Sequence, residues 1–172
     1  MVDKPHHDCG GRAHERTATP ASPYHFVDSG LSNVYLAGIK YRLCRECGKQ
    51  SADIPAVGQL LKAIGRLLVE SRTILTGDEL RFLRKRLGKK AAEFAQVLSV
   101  TPEHYSRLET GKLPISEVAD KMVRAYYTVE SADPKLQKTA LRAAFQDRPA
   151  PRKPSSIRAN ISRKSKWTAE AA

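Results

Sequence analysis

The stretch that constrains the fold most runs from Thr76 to Tyr127. Within it lie two short segments of helical periodicity separated by a tight break. In Lys89 to Leu98, the apolar residues Ala91, Phe94, Ala95 and Leu98 recur on one side at helical spacing. Ser99 and Val100 interrupt the pattern. Thr101 then supplies an N-cap, Pro102 takes the first helical position and Glu103 the first turn. Gly111 ends the second segment. Tyr105 and Leu108 are three apart and can pack inward, which leaves Glu103, Ser106 and Arg107 outward.

Two short helices joined by a tight turn, the second polar on its outer face, describe a helix-turn-helix. Such a helix fits the B-DNA major groove, which is about 12 Å wide. The sequence here resembles the Xre/Cro-like helix-turn-helix family, on Leu83 and Arg84 ahead of Gly88, Phe94-Ala95, and Ser106-Arg107-Leu108-Glu109-x-Gly111-Lys112. The resemblance covers about a third of the chain. It puts Glu103 and Arg107 on base-reading positions, and Thr101 and His104 are candidate readers beside them. Arg107 suits guanine O6 and N7, Glu103 suits cytosine N4, and Thr101 suits a thymine methyl or a phosphate. Lys89, Lys90, Thr110 and Lys112 stand where such domains meet phosphates. Arg84 and Glu109 occupy the positions of a partly buried ion pair that ties the first helix to the third. Thr76 and Glu79 form a T-x-x-E capping box for the first helix, whose inner face is Leu80, Leu83 and Leu87. Ser99 takes the turn position often held by Gly, so a left-handed backbone is expected there. A further helix over 116–129 places Val118, Met122, Val123 and Tyr126 inward and Lys121 and Arg124 in solvent.

The N-terminal part carries the three cysteines, Cys9, Cys44 and Cys47. Cys44-x-x-Cys47-Gly48 has knuckle spacing, in which Gly lets the loop curl and backbone N–H groups face the sulfurs. A closed structural site needs two such knuckles. The first is read from His6 and Cys9, at the same spacing, followed by Gly10 and Gly11. His6, Cys9, Cys44 and Cys47 are therefore candidate ligands of a structural Zn²⁺, with His7, His14 and His25 as rivals of His6. Between the knuckles, residues 24–27, 33–36 and 39–43 read as short strands of an antiparallel sheet, and 12–23 as a loop. A zinc-ribbon-like module ahead of an Xre-type domain resembles the MqsA-type antitoxins, the YgiT-type zinc finger group, as does the phrase TGDELRFLRKRLG. His6 stands where that group has a first Cys, and Glu103 where it has Asn. This resemblance implies autoregulation of a toxin–antitoxin operon and a toxin protein as partner.

The expected organisation is a zinc-ribbon-like module over 1–55, an amphipathic connecting helix over 56–75, the helix-turn-helix domain over 76–130, a helix over 131–147 and a basic disordered tail over 148–172. The fold class is mainly α, a bundle of about five helices with a small zinc-bound β module. In the connecting helix, Leu60, Leu61, Ile64, Leu67 and Leu68 form a stripe that packs on the bundle or forms a dimer contact. Net charge is +12, which favours an anionic partner, and half of it lies in the tail. The first residues lack the apolar core of a signal peptide, and no apolar run can span a bilayer. A cytoplasmic homodimer on a palindromic, double-stranded operator is the leading reading. The alternative is an adaptor whose zinc module binds and neutralises a partner protein without specific DNA binding. No catalytic constellation can be assembled, so an enzyme is not expected.

Overall fold

The computed structural model describes residues 9–131, 133, 134, 136, 137, 156–162 and 166–171. The element order is β1 (Ala13–Thr17), β2 (Tyr24–His25), β3 (Val34–Ala37), β4 (Lys40–Cys44), β5 (Gln50–Ala52), α1 (Val57–Glu70), α2 (Gly77–Arg86), α3 (Ala91–Val97), α4 (Pro102–Glu109), α5 (Glu117–Glu130), β6 (Ile157–Ile161) and β7 (Trp167–Ala171). Five helices and a small cysteine-bearing sheet region match the fold class read from the sequence. No helix among the described residues is long and apolar enough to cross a membrane.

The β region differs from expectation in two ways. Residues 13–17, read as loop, form a strand antiparallel to β4, with Ala13 opposite Cys44 and Thr17 opposite Lys40. The strand AHERT is mostly exposed, so no alternation of apolar residues marks it. Its pairing comes from β4 rather than from its own side chains. There are also two sheets, ordered β1-β4-β5 and β2-β3-β6-β7.

The second sheet corrects the reading of the 148–172 tail as disordered at Ile157–Ile161 and Trp167–Ala171; residues 148–155, 163–165 and 172 lie outside the described residues. β6 pairs in parallel with β3 and antiparallel with β7. Ile157 and Ala159 fall on the buried face, and Trp167 is buried with its indole N–H donating to the Pro55 carbonyl at 2.8 Å. Period-two alternation was present in I-R-A-N-I, but Lys and Arg around it masked the signal. The burial comes from a surface far away in sequence, Val34 and Leu36, each fully buried.

α1 buries Leu60, Ile64 and Leu68. These three of the stripe pack inside the molecule, while Leu61 and Leu67 are half-buried. α2 starts at the expected capping box: the Glu79 N–H donates to Thr76 Oγ1 at 3.3 Å and the Thr76 N–H to the Glu79 carboxylate at 2.8 Å. Leu80, Leu83, Phe94, Ala95, Tyr105, Leu108 and Val123 fill the helical core. Phe94 meets Tyr105 and Tyr126 with ring centroids 5.9 and 5.5 Å apart, the second edge-on. Ser99 does adopt a left-handed backbone, φ 55°, between α3 and α4.

α5 is rotated relative to expectation. Val118, Met122 and Val129 are exposed, at 72%, 42% and 70%, whereas Arg124 is buried. The reason is the end of α1. Its last carbonyls have no intrahelical donors, and the Arg124 guanidinium donates to those of Leu68, Val69, Ser71 and Thr73. Asp120, fully buried, balances the charge at 2.8 and 3.0 Å and also accepts the Leu75 N–H at 2.8 Å. Turning Arg124 inward necessarily turns Val118 and Met122 outward.

Beyond α5, Pro134, Leu136 and Gln137 are helical. Asp133 caps this start: its carbonyl accepts the Gln137 N–H, and its carboxylate accepts from Arg66 at 2.5 Å. The rest of the expected 131–147 helix lies outside the described residues.

Candidate DNA-binding face and cysteine cluster

The first site is the outer face of α4. Thr101 caps the helix by accepting the His104 N–H at 3.2 Å. Tyr105 and Leu108 anchor one side in the core, so Glu103, His104 and Arg107, four residues or fewer apart, project from the other side and are exposed. The Thr101 hydroxyl keeps its hydrogen for a further acceptor. α3, α4 and the short turn between them are held as one unit by Phe94 against Tyr105.

The far end of α4 is locked to α2. Arg84 grips Glu109 with two hydrogen bonds of 2.7 and 3.1 Å, and Tyr105 donates to the same carboxylate at 2.9 Å. The pair is almost fully shielded from solvent. Glu109 raises the Arg84 pKa, chiefly through these hydrogen bonds. Burial, followed by the Glu109 charge, raises that of the Tyr105 phenol. Arg84 also donates to the Lys89 carbonyl at 2.8 Å, fixing the loop before α3.

The four residues assigned to phosphate contact differ in their freedom. Lys90 and Lys112 are exposed. Lys89 is half-buried and paired with Glu130 at 3.4 Å, which raises its pKa. The Thr110 hydroxyl donates back to the Ser106 carbonyl at 2.9 Å. Lys90 and Lys112 are therefore the accessible cations flanking α3 and α4.

The second site is the cysteine cluster. The Cys9, Cys44 and Cys47 sulfurs all lie within 4.8 Å of one another. Cys9 Sγ is 3.5 Å from Cys44 Sγ and 3.4 Å from Cys47 Sγ. Tetrahedral Zn²⁺ with Zn–S bonds of about 2.3 Å sets sulfurs about 3.8 Å apart, so the three thiols fit it closely. Two turns of the same shape bring them there. Gly10 and Gly48 both have φ 69°, a left-handed conformation that a side chain would strain. Each turn aims the next N–H, of Gly11 or Lys49, at the cysteine sulfur before it. The Gly11 N–H acts to lower the Cys9 thiol, but its bonds with the Cys47 and Cys44 thiols and its desolvation outweigh this and leave it raised to about 11. The Lys49 N–H, followed by the Cys9 thiol, lowers Cys47. Without a cation, three sulfurs this close cannot readily all become thiolates. A divalent metal removes that limit.

The fourth ligand is not settled by the described residues. His6 and its rival His7 lie outside them. Neither His14 nor His25 joins the cluster among the described residues. His25 instead engages the Ser32 carbonyl at 2.8 Å and stacks on Tyr35. Glu46, which sequence reasoning passed over, reaches Cys44 Sγ at 3.6 Å.

Comparison with known proteins bears on the first site. A helix-turn-helix domain family model matches residues 76–132. No curated protein and no solved structure matches the chain. The matched segment spans α2 to α5 and contains every residue of the α4 face. The helix-turn-helix match and the exposed α4 face together support a DNA-binding regulator, with a cysteine cluster close enough to hold a metal ion.

Proposed function

We propose that the chain is a zinc-containing transcriptional repressor that reads a palindromic operator with α4 and regulates its own operon. The observation that carries this is the polar face Thr101, Glu103, His104 and Arg107, exposed on a helix whose opposite side is buried in a helix-turn-helix domain. Arg107 reads guanine, Glu103 and His104 set neighbouring preferences, and Lys90 and Lys112 fix the register on phosphates. Footprinting on the chain's own upstream DNA tests it. Arg107→Ala weakens operator binding by about 1–3 kcal/mol and relaxes choice at one base position. A variant that leaves the footprint unchanged would sink this reading.

A homodimer follows from half-sites spaced about one helical turn, roughly 34 Å. Its support is the exposed stripe on α5. Val118, Met122, Ala125 and Val129 are spaced four, three and four apart, a pattern that reads the same in both directions. An antiparallel pair of copies sets Val118 against Val129 and Met122 against Ala125, large against small. The rim charges are already paired within the chain, Glu117 with Lys121 and Glu130 with Lys89, so they do not oppose contact. Met122→Glu is expected to halve the mass measured by sedimentation and weaken the operator footprint at least tenfold. A dimer that persists rejects this interface.

The metal is Zn²⁺, held by Cys9, Cys44, Cys47 and His6. His6 precedes Cys9 by three, as Cys44 precedes Cys47, and the two turns share one backbone shape. Bound zinc joins the two knuckles and closes the β region; it supplies no chemistry to a substrate. Cys47→Ser is expected to reduce the zinc content from one per chain to below one tenth while the far-UV helical signal stays. Full zinc retention in that variant would reject the site. By resemblance, the zinc module is also the surface that holds a toxin protein, which makes the chain an antitoxin. Co-purification with the product of an adjacent reading frame tests that role.

A further inference from the structure

A cavity of about 210 Å³ opens where the N-terminal β region, α1 and α2 meet. Its walls combine two kinds of residue. Leu61 of α1 and Phe82 of α2 give an apolar side, and Ser29 and Gly30 also line it. Arg81, Lys85 and Arg86, from the last two turns of α2, give three cations. No carboxylate lines the cavity among the described residues, and Arg81 is paired outside it with Asp78 and Glu109, each at 3.7 Å. Lys85 is exposed. Arg86 holds a buried Nε with no hydrogen-bond partner among the described residues, while the rest of its guanidinium engages the Tyr127 side chain. An orphaned donor of this kind is costly unless a ligand or water accepts from it.

The geometry points to a binding site for a small organic phosphate, its phosphoryl group on Arg81, Lys85 and Arg86 and its apolar body against Leu61 and Phe82. A phosphomonoester carries about −1.5 to −2 charges at neutral pH and three acceptor oxygens, which suits a wall that carries three cationic side chains. The volume equals about seven waters at roughly 30 Å³ each, enough for a single ring and a phosphate. Inorganic phosphate satisfies the cations but leaves the apolar side wet, so it binds more weakly.

The site reaches the DNA-binding face through Arg81. This guanidinium donates to the Glu109 carbonyl at 3.2 Å and lies 3.7 Å from the Glu109 carboxylate, at the end of α4. An anion in the cavity competes for it. Ligand and operator then alter one another's affinity by the same factor. This coupling rests on the DNA-binding reading; the binding site itself does not.

Calorimetric titration of the full chain with phenyl phosphate, and separately with inorganic phosphate, tests the site. The expected result is one phenyl phosphate per chain, bound at least tenfold more tightly than inorganic phosphate. Lys85→Glu, at an exposed position that leaves the fold intact, lowers the phenyl phosphate affinity at least tenfold, and Arg86→Leu does the same. Equal affinity for the two probes, or binding unchanged in Lys85→Glu, overturns the proposal. Footprinting with and without saturating phenyl phosphate then reads the coupling as a change of threefold or more in operator affinity. A bound ligand with an unchanged footprint overturns the coupling alone. Loss of any footprint counts against the regulator reading and leaves the titration result standing.

Discussion

Arg124→Leu is expected to destabilise the helical domain by about 3–5 kcal/mol, because removing one partner of a buried ion pair leaves the other charged and unpaired. The group that loses its guanidinium partner is Asp120, which has no solvent exposure and keeps the Leu75 N–H. The change also strips donors from the carbonyls of Leu68, Val69, Ser71 and Thr73, which end α1 and begin the linker to α2. A small domain has only about 5–15 kcal/mol in total, so the variant is close to unfolded at ambient temperature. Urea denaturation followed by circular dichroism measures it. The pair is also coupled. Asp120→Leu in the same chain removes the stranded charge, and the double variant regains part of the loss, since replacing both members of a buried pair by apolar groups is often near neutral. The recovery stays incomplete because the α1 carbonyls and the Leu75 N–H, now without the Asp120 acceptor, remain unsatisfied. A destabilisation under about 1 kcal/mol in the single variant would show that the clamp does not hold α1 to α5.

Trp167→Ala carries the second large effect, about 3–5 kcal/mol for truncating a large buried aromatic. Trp167 is buried against the region before α1, and its indole N–H satisfies the Pro55 carbonyl. Without it, β7 loses its anchor, and β6 no longer covers Val34 and Leu36. The loss is local to the β region and α1. Hydrogen exchange should therefore accelerate in β3 and the N-terminal half of α1 while the core of α2, α3 and α4 keeps its protection. Ending the chain at residue 155 produces the same pattern more strongly. Uniform acceleration across both regions would mean that the chain unfolds as a single cooperative unit. No acceleration would mean that the terminal hairpin is a mere appendage.

These two positions also mark the limit of reading this chain from its sequence. The helix-turn-helix was legible because its signals are local: Thr76 and Glu79 three apart, Phe94 and Ala95 in phase, Thr101 before Pro102, Gly111 as a stop. The left-handed Ser99 was legible for the same reason, since a two-residue break between helices restricts the backbone. The cysteine cluster was legible from the Cys44-x-x-Cys47-Gly48 knuckle and from Cys9, which like Cys47 is followed by glycine. Arg124 was not legible. Charged residues on an amphipathic helix face water by default, and its carbonyl acceptors lie at the end of α1 and in the linker after it, more than fifty residues away. The rotation of α5, and with it the exposure of Val118 and Met122, depends on that contact. The strands of the basic tail were hidden too, because composition alone gave no reason to bury them.

The amino-acid order by itself determined where helices α2 to α4 begin and end, which face of α4 meets solvent, and which cysteines can share a metal. Caps, glycine turns and helical period act over a few residues, so they are written in adjacent letters. Tertiary structure alone decided which side of α5 turns inward and that the last strands complete a sheet begun near residue 24. Both depend on unsatisfied carbonyls and apolar surface supplied by distant parts of the chain, and no local pattern encodes them.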